Sequence, residues 1–208
     1  TPLADGGDGT IEIVADYLDA SSVSVRVKDP LFRDIEARYL LSGDGLTAYI
    51  EMSEASGYKL LSKGEMNCMH TTSLGTGELI LDALEKGARK IVLGIGGSAT
   101  NDGGMGMAQA LGHTFLDKNG KALEPVGKNL VHVDQILRKN VHPNLSQAVI
   151  QVACDVNNPF HGENGAAKVY GAQKGAYAEE IGFLDQGLAH FAQVLHSVFG
   201  VDVQKIPG

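Results

Sequence analysis

Apolar residues recur along this chain with two periods, and the periods sort it into elements. Residues 23–27 alternate as Val, Ser, Val, Arg, Val. The alternation returns at Ile35, Ala37, Tyr39 and Leu41, and again at Leu46, Ala48, Ile50 and Met52. A period of two marks a strand with one buried face. The turn residues Ser42, Gly43, Asp44 and Gly45 separate the second and third runs, which predicts a β-hairpin. Elsewhere the spacing is helical. Ile11, Val14, Ala15 and Leu18 share a face over 9–20. Ile80, Ala83, Leu84 and Gly87 share another, with Ser73 or Thr76 as cap and Gly87 as stop. A further helix opens after Asp102 and ends at Gly112. Over 179–199, Ile181, Leu184, Leu188, Phe191, Leu195 and Val198 fall three and four apart, the pattern of a long amphipathic helix lying on a core. This stretch also meets the lower limit for a coiled coil. The continuous apolar runs at 90–95 and 148–154 read as buried strands, and 113–145 as loop-rich with short pieces of structure. Helices alternating with buried strands, plus one hairpin, place the chain in the α/β class with some antiparallel sheet.

Composition narrows the function classes. The 208 residues suffice for one large domain or two small ones. A formal net charge of -8 excludes a general nucleic-acid surface. No apolar stretch reaches the length of a membrane span, and no signal peptide is visible. Two cysteines, Cys68 and Cys154, cannot build a disulfide framework and read as reduced, buried thiols of a cytoplasmic protein. The chain starts at Thr1 and stops just after a helical pattern, so it is expected to be the middle of a longer protein.

Glycine changes the picture, because its 27 residues are clustered. The clusters lie at 4–10, 72–78, 94–104 and 153–176, and the first three stand at expected helix starts. Backbone N–H groups at such an end bind phosphate or carboxylate, and glycine lets the ligand reach the backbone. The candidate anion contacts are Gly6, Gly7 and Asp8; Ser73, Gly75 and Thr76; Gly96, Gly97, Ser98, Thr100 and Asn101; and Asn157 and His161. A carboxylate belongs beside a phosphate only if it holds Mg2+ or takes a proton from an attacking hydroxyl. Asp8 and Asp102 stand where helix caps stand. Asp155 follows a strand, where ligands gather in α/β sheets. Lys174, inside a Gly-flanked loop, suits a phosphate or a carboxylate. No Walker A pattern occurs. Gly94, Gly96 and Ala99 fit the G-x-G-x-x-G/A fingerprint, which raises an NAD-dependent oxidoreductase as an alternative, although the expected acid falls in a loop near Asp117. A non-catalytic sugar-acid-binding module is a second alternative.

The strings PLADGGDGT, TTSLGTGELI, LGIGGSATNDGG, ACDVNNPFHGENGAA and QKGA, in this order, closely resemble the bacterial type I glycerate kinases over essentially the whole chain. The resemblance implies two α/β domains, one flavodoxin-like and one restriction-endonuclease-like, with the site in the cleft between them. Residues 1–208 would be the central fragment, with transitions near 60–75 and 200–208. It implies transfer of the ATP γ-phosphoryl group to D-glycerate with Mg2+, giving 2-phosphoglycerate or 3-phosphoglycerate, in a complete protein rather than in this fragment alone. Asp155, Asp5 and Lys174 are then the catalytic candidates, with Asp5 or Asp155 on the metal. Two departures stand out. Asp8 replaces the family's usual Glu, and Ala172 replaces a Pro before QKGA.

Overall fold

The computed structural model describes residues 19–206. The helix expected over 9–20 lies outside them up to residue 18, with Ala20 opening a strand instead, and the candidates Asp5, Gly6, Gly7 and Asp8 lie outside them. The three alternating runs become strands β1 (Ala20–Lys28), β2 (Asp34–Ser42) and β3 (Thr47–Glu51). They pair antiparallel in sequence order, with the predicted hairpin joining β2 to β3. The run at 90–95 becomes β4 (Lys90–Gly94), parallel to β3. Between them the chain makes a short helix α1 (Ser53–Ser56) and the helix α2 (Leu74–Glu85). Gly87 ends α2 in a left-handed conformation (φ 102°), and the N–H of Ala88 reaches back to Ala83.

The helix α3 (Met105–Ala110) follows β4. The short strands β5 (Thr114–Leu116) and β6 (Gln135–Leu137) then form a separate antiparallel pair. The last strand, β7 (Val149–Ala153), returns to the main sheet and lies parallel to β4, giving the order β1-β2-β3-β4-β7. Helices α4 (Ala166–Tyr170) and α5 (Ala178–Phe199) close the described chain. The Glu180 carboxylate accepts the Tyr177 N–H at the start of α5 (2.8 Å), and Gly200 ends the helix in a left-handed turn (φ 71°).

Two cores result. In the first, Tyr39, Ile50 and Ile91 of the sheet meet Leu79, Ile80, Ala83 and Leu84 of α2. In the second, Leu184, Leu188 and Phe191 of α5 meet Phe115, Leu130, Val133 and Met105. The apolar face of α5 is therefore spent inside the chain, which removes the coiled-coil reading. One expectation fails. Strand β7 is not buried: Val149, Ile150 and Val152 are 64%, 39% and 50% exposed. It is the edge of the sheet among the described residues, and an apolar run records a preference for cover without saying what supplies it.

Candidate active site

Strands β4 and β7 run parallel in a register that pairs Gly94 with Ala153. Their carboxyl ends therefore deliver residues 95–98 and 154–156 to one place, where ligands collect in open α/β sheets. A cavity of about 510 Å3 opens there. Its wall includes Gly96, Gly97 and Ser98 after β4, Asp155 after β7, and Tyr170 and Lys174 from the stretch beside the second core. The cavity thus lies between the two cores. Several loop contacts fix its rim. The Tyr58 N–H donates to the Gly97 carbonyl (3.0 Å), and the Ala99 N–H donates to Ser56 (2.9 Å). Gly97 sits at φ 71°, and a Cβ there would lie 3.8 Å from the Tyr58 ring.

Lys174 reaches this rim from the side of the second core. Its Nζ donates to Ser98 Oγ (2.8 Å) and to the Thr100 carbonyl (2.7 Å). The neighbouring backbone is held close: Cys68 N–H donates to the Lys174 carbonyl (3.1 Å). Gly175, at φ 84°, leaves no room for a Cβ, which would stand 2.1 Å from the Met66 carbonyl oxygen. Burial lowers the Lys174 pKa, while the nearby Cys68 and Asp102 pull it back up.

The other candidates fall in three groups. Gly96, Gly97, Ser98, Asp155 and Lys174 are brought together at the cavity. Thr100 and Asn101 are buried behind it; the Asn101 Nδ2 has no hydrogen-bond partner among the described residues. Ser73, Gly75 and Thr76 are fully buried and do not line the cavity. Thr76 Oγ1 pairs with Ser56 Oγ (2.7 Å), and a Cβ on Gly75 would stand 1.9 Å from the Lys28 carbonyl oxygen. Asn157 is exposed beside the cavity, and His161 is tied by its backbone to the Gln204 side chain.

The helix N-termini hold a different anion from the one the glycines suggest. Asp102 is 2% exposed. One of its oxygens accepts Ser73 N–H (2.8 Å), Ser73 Oγ–H (2.7 Å) and Gly106 N–H (3.1 Å), and the other accepts Gly104 N–H (3.1 Å). The starts of α2 and α3 thus converge on one internal carboxylate. Burial raises its pKa, and the four donors oppose that rise.

The dinucleotide fingerprint also loses its setting. The helix after Gly94 starts only at Met105, and the strand after that helix belongs to the separate β5–β6 pair. The fingerprint needs the glycines to open the helix and the next strand to lie parallel beside the first.

Mg2+ takes one or two carboxylates and completes its shell with water and substrate phosphates. Among the described residues no cluster of three His, Cys, Asp or Glu is placed to hold a metal, and Asp155 is the carboxylate lining the cavity. One carboxylate on the wall of this cavity fits that sparse donor set.

The expectation of two buried thiols holds for one. Cys68 is buried, its pKa pushed up to about 11 by burial, whereas Cys154 is exposed and lines the cavity. Iodoacetamide at neutral pH is expected to label Cys154 alone in the folded protein, with Cys68 reacting only after unfolding. Peptide mass mapping checks this, and equal labelling of the two would contradict it.

The sequence pattern of the Glycerate kinase family matches residues 1–208. The chain belongs to the glycerate kinase family. A glycerate kinase of Halalkalibacterium halodurans is 48% identical over 207 residues, covering 100% of this chain and 54% of its own length. The glycerate 2-kinase of Escherichia coli K12 is 46% identical, with the same coverage of each chain. A crystal structure from Salmonella typhimurium LT2, provisionally named glycerate kinase 2, superimposes with a TM-score of 0.96 at 44% identity, over 100% of this chain and 55% of that one. The chain thus spans about half the length of the family members it matches. No helix among the described residues is long and apolar enough to cross a membrane.

Proposed function

We propose that the complete protein is an ATP-dependent glycerate kinase and that the cavity between the two cores is part of its active site. One observation carries this: a lysine ammonium, a Gly-Gly-Ser loop and a carboxylate, drawn from three separated stretches of the chain, meet at the carboxyl ends of two parallel strands. In the reaction a hydroxyl oxygen of D-glycerate bonds to the γ-phosphorus as the bond from that phosphorus to the β,γ-bridging oxygen breaks. ADP leaves, and the hydroxyl proton passes to an aspartate carboxylate. Such a transition state needs positioning and charge compensation more than covalent chemistry. Lys174 compensates charge on the transferring group, and the 96–98 loop aligns it. Asp155 and Asp5 divide proton acceptance and Mg2+ binding; the ion, when bound, neutralises phosphate charge. The product on this reading is 2-phosphoglycerate rather than 3-phosphoglycerate, a choice supported by the name glycerate 2-kinase of the Escherichia coli relative. The two-domain arrangement, the inactivity of this fragment alone and a cytoplasmic setting belong to the same reading.

The test is ADP release by the complete protein, dependent on both ATP and D-glycerate. Asp155→Asn keeps the shape and removes the charge, and its kcat is expected to fall about a hundredfold. A variant with parental kcat would take Asp155 out of the chemistry. ADP release that ignores glycerate, or NADH binding in its place, would overturn the assignment.

A further inference from the structure

We propose that this cavity takes the nucleotide, with the base against Tyr58 and Tyr170 and the phosphates toward Lys174, so that glycerate meets only the phosphate end. The inference rests on the phosphotransfer reading and adds which substrate the cavity holds. The wall is amphipathic. Gly96, Gly97, Ser98, Asp155 and Lys174 form a polar part that the reaction uses. Tyr58, Ile95, Val156, Ala166 and Tyr170 form an apolar part to which phosphoryl transfer assigns nothing.

Glycerate cannot account for that apolar part. Each of its three carbons carries oxygen, so burying it against aliphatic and aromatic groups gains little. Its size also falls short: about 510 Å3 lies in the range of pockets that enclose drug-sized ligands, about 300–1,000 Å3, and a three-carbon acid would leave most of it empty. A nucleotide has both characters in the right order, a flat base at one end and anionic phosphates at the other.

The tyrosines are set for this. The Tyr170 hydroxyl donates to Asn158 Oδ1 (2.6 Å), and the Asn158 amide donates to the Asn164 carbonyl (3.0 Å), which fixes the ring in the wall. The Tyr58 ring lies in ordinary contact distance of Gly97, whose carbonyl accepts the Tyr58 N–H (3.0 Å). An aromatic face held in advance, as at Tyr170, stacks on a base at a reduced ordering cost.

The experiment uses the complete protein, varies ATP and D-glycerate separately, and adds calorimetric titration with ATP alone. Tyr58→Ala and Tyr170→Ala are each expected to raise KM for ATP, and to weaken ATP binding, about tenfold, while KM for glycerate moves by less than about twofold. Tyr170→Phe keeps the ring, loses only the bond to Asn158, and moves the ATP values less than Tyr170→Ala. A rise in KM for glycerate with ATP unaffected would overturn the inference and make the cavity the acid's site. If the parental protein releases no ADP in response to glycerate, the phosphotransfer reading fails, and titration still decides this one. ATP binding weakened by the alanine variants supports it. ATP that does not bind, or that binds all variants alike, refutes it.

Discussion

Lys174→Ala in the complete protein is expected to lower kcat about a thousandfold, with a smaller change in KM for either substrate. Removing a preorganised donor from developing charge costs roughly 10²–10³ in rate, and here a full charge goes with it. The geometry argues for that role over a surface lysine's. An ammonium has three donors. Ser98 Oγ and the Thr100 carbonyl take two, which leaves the third for an anion in the cavity that Lys174 lines. Lys174→Met separates charge from packing. It fills most of the space, and it should lose rate like the alanine variant while retaining more of the parental Tm. The pH profile supplies an independent check. Burial lowers the Lys174 pKa from the ordinary 10.5, so its proton is lost earlier than from a free lysine. Activity should fall as pH rises through that lowered value. The stability term has the opposite sign: with the folded pKa below the unfolded one, the unfolded chain binds more protons in that window, and this residue's contribution rises with pH. Parental kcat in Lys174→Met would end the assignment.

Much of the fold was legible because periodicity reports burial directly. The alternation at 23–27 and 35–41 needs no tertiary knowledge to place one face inward, and β1 and β2 follow it. The spacing of Leu184, Leu188 and Phe191 likewise named the buried face of α5. What periodicity cannot report is the identity of the cover. Strand β7 has the apolar content of a buried strand and stands at an exposed edge of the described sheet.

The site was legible in a narrower way. A glycine says that something comes close to the backbone, and the sequence does not say what. At Gly97 the close neighbours are Tyr58 and Ser53, beside the cavity. At Gly75 the neighbour is the Lys28 carbonyl at the end of β1, and at Gly77 it is the backbone of Met107 in α3. These two let α2 press against its neighbours and have no part in the cavity wall. Tyr58 and Tyr170 went unnoticed for a related reason. Tyr58 lies outside the Gly-rich clusters and Tyr170 is a non-glycine inside the fourth, and only the Tyr58 N–H bond to Gly97 and the position of α4 bring them to the same wall. The one signal available was that Tyr170 directly precedes the GAQKGA stretch.

Asp102→Ala is expected to destabilise the protein by about 3 kcal/mol and lower Tm by roughly 10 °C. The variant strands the N–H groups of Ser73, Gly104 and Gly106 and the Ser73 hydroxyl. Each unsatisfied buried donor costs about 1–3 kcal/mol, offset in part because no carboxylate then has to be desolvated. Asp102→Asn should cost less, about 1–2 kcal/mol, since its oxygen can serve one side of the cluster while its NH2 must face a donor on the other. The deficits of both variants carry the same sign of pH dependence. Burial holds the folded-state pKa of Asp102 above the unfolded value. That part of the stability is fully present below the unfolded pKa and is lost as pH rises through the folded one. Asparagine has no proton to lose, so its deficit against the parental protein should narrow as pH rises. Equal deficits at every pH would mean that the carboxyl titrates alike in both states. The same substitution reaches the cavity by charge alone. Asp102 supports the protonated form of Lys174 from behind the loop, so Asp102→Asn should move the alkaline limb of the kcat profile to lower pH without touching a substrate. The carboxylate inside GIGGSATNDGG then holds two helix ends together and favours the charged form of Lys174.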